Sequence, residues 1–146
     1  MKAFRFRLQR VLELRESELK AEESALERLQ RERVHMEAER DALVESLRRE
    51  TSAVRGKQYL HPSELVLADA YRETVKRDLQ VWADKLAAQD REIEKQRARV
   101  VTFRGRVKLL EKLRDRSHEE WQRGMDRELE ELAEEFVAGK WVRNRR

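Results

Sequence analysis

From Leu8 onward the apolar residues return at alternating steps of three and four: Leu8, Leu12, Leu19, Leu26, Leu29, Met36, Leu43, Leu47 and Val54. This spacing is a heptad seam, the stripe a helix buries along a second helix. Arg15, Glu22, Arg33 and Arg40 stand at seam positions between the apolar residues. They weaken the seam and predict a loose two-stranded structure rather than a rigid zipper.

The seam breaks at Arg55-Gly56-Lys57-Gln58-Tyr59-Leu60-His61-Pro62-Ser63, which holds the only proline and one of the 4 glycines. His61 is pushed out of helical geometry by the proline that follows, and Ser63 with Glu64 behind it reads as the N-cap of a new helix. A second seam then runs through Leu65, Ala68, Val75, Leu79, Trp82, Leu86, Ile93, Val100, Phe103, Val107 and Leu110 to Trp121. Arg72, Gln89, Gln96, Arg114 and Ser117 fill its polar positions. The apolar residues continue at Met125, Leu129, Leu132 and Phe136, one residue later than a strict heptad allows.

A short linker makes the two helices antiparallel neighbours. The predicted fold is all-α: a long two-helix antiparallel coiled-coil hairpin in a single domain, 1–146, pairing Val54 with Leu65 and Leu12 with Val107. The expected boundaries are about 4–55 for the first helix, about 56–62 for the turn and about 63–138 for the second helix. A basic tail, 139–146, is expected to fray behind Gly139. Helix 2 outruns helix 1, so residues after about 115 are expected to project as a lone amphipathic helix in want of a partner.

Composition narrows the function classes. Charged residues make up 44% and apolar residues 39%, with 6% aromatic, enough for a narrow seam but hardly for the thick core of an enzyme. Without cysteine there is no disulfide framework and no thiolate metal site. His35, His61 and His118 have no second histidine or metal-ligand pattern beside them and read as solvated surface residues. The four glycines stand far apart, so no phosphate-cradling loop exists. No catalytic residue, cofactor or metal is expected. No apolar run approaches the roughly 20 residues of a membrane span, which predicts a cytoplasmic protein.

Two surfaces remain as candidates for protein binding. Between Lys95 and Arg116 helix 2 is strongly basic, and the predicted pairing lays Lys2, Arg5, Arg7, Arg10 and Arg15 beside it. Arg5, Arg7, Arg10, Arg104, Arg106, Lys108 and Lys112 make the core of this belt. A belt around a stalk fits an acidic collar, whereas a nucleic-acid grip would add interleaved aromatics; the plain alternative is a solvated face. The second candidate is Tyr71, Val75, Leu79 and Trp82, where Tyr71 and Val81 lie outside the seam and make the helix apolar on more than one face.

The opening Phe4-Arg5-Phe6-Arg7-Leu8-Gln9-Arg10-Val11-Leu12, followed by Leu14-Arg15 and Glu16, resembles the start of the flagellar export protein FliJ family. The stretch Gly124-Met125-Asp126-Arg127-Glu128-Leu129-Glu130-Glu131-Leu132-Ala133 is similar to that family's C-terminal pattern. The resemblance implies a non-enzymatic component of the flagellar type III export apparatus, acting at the cytoplasmic face of the membrane. It implies a stalk inserted into the hexameric export ATPase, contacts with the export-gate membrane protein FlhA, and handling of export chaperones. On that reading the basic belt is the contact with the ATPase ring, and Tyr71, Val75, Leu79 and Trp82 are the nearest match to the gate contact. The competing readings are a generic coiled-coil scaffold and a nucleic-acid-binding helical clamp.

Overall fold

The structure, a computed structural model, describes residues 2–145. They form two long helices that pack against each other, α1 (Gln9–Arg55) and α2 (Pro62–Asn144), and no strand occurs among the described residues. The helices are antiparallel, as the seams require: Glu22 of α1 meets Gln96 and Arg99 of α2, whereas Leu29 and Arg33 meet Gln89 and Asp90. With 83 residues against 47, α2 is much the longer.

Burial follows the predicted seams except at the start of the second, where Leu65, expected to pair with Val54, is 47% exposed. Leu86, Ile93, Val100 and Val107 recur at every seventh residue of α2 and are all buried, with Val75 buried further up the same helix. Between them Leu79, Trp82, Gln89, Gln96, Phe103 and Leu110 are half-buried. On α1 only Leu12 is fully buried. Its seam is interrupted by Arg15, Glu22, Arg33 and Arg40, whose long side chains cover apolar neighbours while their charged ends reach partners at the edge.

Contacts gather into two compact units, one formed by Ala21–Val101 and the other by the described residues up to Lys20 with those from Thr102 onward. In the first unit the seam is polar as well as apolar. Gln89 Nε2 donates to the carbonyl of Leu29 at 2.9 Å, and Gln96 Nε2 to the carbonyl of Glu22 at 3.0 Å. Arg99 forks onto the Glu22 carboxylate at 2.9 and 3.2 Å, and Arg33 bridges Asp90 across the helices while pairing with Glu37 on its own.

The turn restarts one residue earlier than predicted. Pro62 is the first residue of α2, where its missing N–H costs nothing, and His61 rather than Ser63 stands at the cap. The His61 carbonyl accepts from Glu64 at 2.9 Å, while its Nδ1 lies 2.7 Å from Ser63 Oγ and accepts the Ser63 N–H at 3.3 Å.

Both helix ends nearest the termini also differ from expectation. Residues 4–8 are not helical, and α1 begins at Gln9. At the other end α2 passes straight through Gly139 to Asn144, so residues 139–144 are helix and not a frayed tail. No glycine has a positive φ, so Gly139 makes no left-handed cap, and a lone glycine costs a helix only about 1 kcal/mol.

Candidate partner-binding surfaces

The N-terminal segment explains why α1 starts late. In Phe4-Arg5-Phe6-Arg7-Leu8 burial alternates strictly: Phe4, Phe6 and Leu8 are half-buried, and Arg5 and Arg7 are exposed. Residues 2–6 form no regular element, and a turn at Arg7 and Leu8, in which the Gln9 N–H donates to the Phe6 carbonyl at 3.1 Å, leads into α1. Phe4 packs edge-on against His118 (centroids 5.0 Å apart, 86° between planes) and lies 5.9 Å from Trp121. His118 and Trp121 are 5.6 Å apart, and the indole N–H of Trp121 donates to the carbonyl of Lys2 at 2.9 Å.

Lys2 lines a groove with Trp121, Gly124, Met125 and Glu128, so the N-terminal strap covers α2 well past residue 115. The uncovered part of α2 begins about two turns further on than the sequence suggested. His118 contributes a ring to this aromatic triad and remains exposed, in keeping with its reading as a surface residue.

The strap holds the N-terminal part of the basic belt. Arg5, Arg7 and Arg10 line one groove with Phe4, Phe6, Gln9 and Glu13, and Arg5 shares a second groove with Ser117 and Trp121 of α2. In the same unit Arg104, Arg106, Lys108 and Lys112 are exposed on α2, and the Arg106 guanidinium lies 4.9 Å from the Phe103 ring. Among the described residues Arg5, Arg7, Arg10, Arg106, Lys108 and Lys112 form no ion pair.

The belt is shorter than its charge count implied. Lys95 and Arg97 are paired with Glu92 and Glu94 one turn away, Arg99 with Glu22, and Arg15 with Glu18. The hydrogen bonds from Arg99 and then Gln96 hold the Glu22 carboxyl below the usual glutamate range, and Glu22 in turn raises Arg99. Positive charge without local compensation is thus concentrated where α1 begins.

The second candidate surface divides. Val75 is 1% exposed and belongs to the helix contact, so it offers nothing to a partner. Tyr71 is exposed, while Leu79 and Trp82 are half-buried, and the Lys85 ammonium sits 4.8 Å over the Trp82 ring. Trp82, Val81 and Lys85 line a groove with Glu39, Ala42, Leu43, Ser46 and Asp78, which joins both helices. Lys85 joins this surface through its i+3 spacing from Trp82, which puts it on the same face.

Beyond the strap α2 carries a third surface. Leu129, Leu132, Phe136, Val137, Trp141 and Val142 are each at least half exposed, and Ala133, Val137, Ala138 and Trp141 line an apolar groove with Glu134. Among the described residues no group of three His, Cys, Asp or Glu is placed to hold a metal ion, and no helix is long and apolar enough to cross a membrane.

No family model, curated protein or solved structure matches this chain.

Proposed function

We propose that this chain is a non-enzymatic stalk and adaptor of the flagellar type III protein export apparatus. In this reading it enters the central pore of the hexameric export ATPase, promotes assembly or activity of the ring, and links it to the export-gate protein FlhA and to export chaperones. It acts at the cytoplasmic face of the membrane through these protein partners. The observation that carries the reading is the strap: Phe4 and Phe6 turn inward and Arg5 and Arg7 outward, beside further unpaired cations of the same unit. The N-terminal residues that resemble the FliJ family are thus among those that form this cationic surface. Like charges gathered without partners oppose folding, and an acidic collar on a ring-shaped partner would offset that repulsion and speed encounter.

The test is charge reversal. Changing Arg5, Arg10, Arg106 and Lys108 to Glu should abolish stimulation of the export ATPase while preserving or raising the melting temperature. Changing Glu119, Glu120, Glu130 and Glu131 to Lys alters net charge by the same amount and should leave stimulation intact. Stimulation should also weaken with salt, since exposed charges are screened over roughly 8–10 Å near physiological ionic strength. Full stimulation by the belt variant at low salt would refute the ring contact.

A further inference from the structure

The groove beside the strap is lined by three arginines, Arg5, Arg7 and Arg10, and by no lysine. All three are exposed, and among the described residues none of them forms an ion pair. The one acidic side chain in the groove, Glu13, accepts from Gln9 Nε2 at 3.2 Å, and the first turn of α1 holds no acid. On the α2 side of the belt the cations are mixed, Arg106 with Lys108 and Lys112. The difference matters, because a guanidinium offers a carboxylate two parallel N–H groups in a fixed plane, whereas a lysine ammonium acts as a point charge.

The backbone under Arg5 has no helical hydrogen bonds to fix it, since residues 2–6 form no regular element. It is fixed from its neighbours. Phe4 is held against His118 and Trp121, and the Lys2 carbonyl takes the indole N–H of Trp121 at 2.9 Å. At the far end the Gln9 N–H donates to the Phe6 carbonyl at 3.1 Å, which sets the entry into α1 and so the place of Arg10. Side chains carried on a backbone already held in place lose less freedom when they bind.

We infer that this groove seats an acidic segment of a protein partner, whose carboxylates are gripped by Arg5, Arg7 and Arg10, and that Phe4 is the positioning residue that keeps the seat formed. The inference rests on the proposed contact with an acidic collar and narrows it: the strap grips, while Arg106, Lys108 and Lys112 supply attraction at longer range. A carboxylate fits better than a nucleic-acid strand. A strand would bring bases that need open aromatic faces to stack on, and here Phe4 and Phe6 are half-buried, with Phe4 already engaged by His118 and Trp121.

The experiment is a titration of a labelled polyglutamate peptide with the full chain at low salt, read by fluorescence anisotropy. Changing Arg5, Arg7 and Arg10 together to Lys keeps the net charge and should weaken binding on the order of tenfold. Lys108→Arg with Lys112→Arg keeps it too and should leave binding unchanged. Phe4→Ala should weaken binding on the order of fivefold, and Phe4→Tyr, which retains the ring, should not. None of these changes touches a buried seam residue, so far-UV circular dichroism should be the same for all. No binding of polyglutamate, or binding indifferent to the three lysine changes, would overturn the grip; binding indifferent to Phe4→Ala would remove Phe4 as the positioning residue. A single-stranded oligonucleotide that displaces polyglutamate of equal charge would overturn the choice of occupant. The two readings fail separately. If the lysine variant binds the peptide normally while reversal of Arg5, Arg10, Arg106 and Lys108 still abolishes ATPase stimulation, the groove is refuted and the ring contact stands. If the reversal variant stimulates fully, the ring contact is refuted, and the peptide titration alone decides the groove.

Discussion

Leu12 and Leu14 stand two residues apart on the same helix, yet Leu12 is 0% exposed and Leu14 56%. Truncating each to alanine removes the same atoms from opposite environments. Leucine-to-alanine changes in full cores cost about 2–5 kcal/mol, the spread reflecting how far the surroundings close over the cavity. A contact between only two helices can close partly by their drawing together, so Leu12→Ala should cost about 2–3 kcal/mol. Leu14 is already half in water, and alanine is the better helix former, so Leu14→Ala should cost less than about 0.5 kcal/mol. For a chain of this size that corresponds to a drop of roughly 4–12 °C in Tm for the first variant and about 2 °C or less for the second. Urea unfolding followed by far-UV circular dichroism reads the same difference as a lower midpoint at unchanged slope. Equal shifts for the two variants would show that Leu12 is not the anchor of the α1 seam and that the antiparallel register is misplaced there.

Phe4→Ala should release the N-terminal strap at a cost of about 1 kcal/mol, the size of an aromatic pair contact, and expose Trp121. In a background with Trp82 and Trp141 changed to Phe, the Trp121 emission should move to the red; an unmoved spectrum would mean that Phe4 does not hold the strap. Because Arg99 and Gln96 depress the Glu22 pKa in the folded chain, their contribution is present above the ordinary glutamate range and is lost as pH falls through the depressed value. Glu22→Gln should therefore lower stability at neutral pH and flatten the acid limb of the stability profile; an unchanged limb would remove Glu22 from the seam's working parts.

The long helices were legible because their signal is redundant. Leu86, Ile93, Val100 and Val107 repeat at every seventh residue, and any one could have been polar without hiding the period. The turn was legible from a single proline, though the cap fell to His61 because its ring reaches Ser63 as well as its carbonyl reaching Glu64. The strap is not legible in the sequence, although Phe4, Phe6 and Leu8 alternate with Arg5 and Arg7. Leu8 fits the heptad of α1 as well as the alternation, and the shared residue let the helical reading run on to Phe4. At the other terminus Gly139 looked like a stop, but a glycine ends a helix only where the backbone turns left-handed, and here it does not. The candidate surfaces were legible as charge and apolarity but not as exposure. Val75 shows the difference, since its seam position and its place among exposed apolar neighbours point in opposite directions until the packing is known.

Gln89 and Gln96 are seven residues apart, and so are the carbonyls of Glu22 and Leu29 to which they donate. A carbonyl is present at every position of α1, so these two bonds could be remade after a slide of one helix along the other by a whole heptad. The pairs of Arg99 with Glu22 and Arg33 with Asp90 could not, because they depend on particular side chains. Resistance to sliding in this unit is therefore not smooth. It has notches one heptad, about 10 Å, apart, shallow where glutamine grips the backbone and deepest at the single setting where the ion pairs also engage. A pull along the helix axis would load the Glu22 cluster and the Arg33–Asp90 pair together. Once both gave way the helices would come to rest a heptad away, with the glutamine bonds remade and the charges left unmatched.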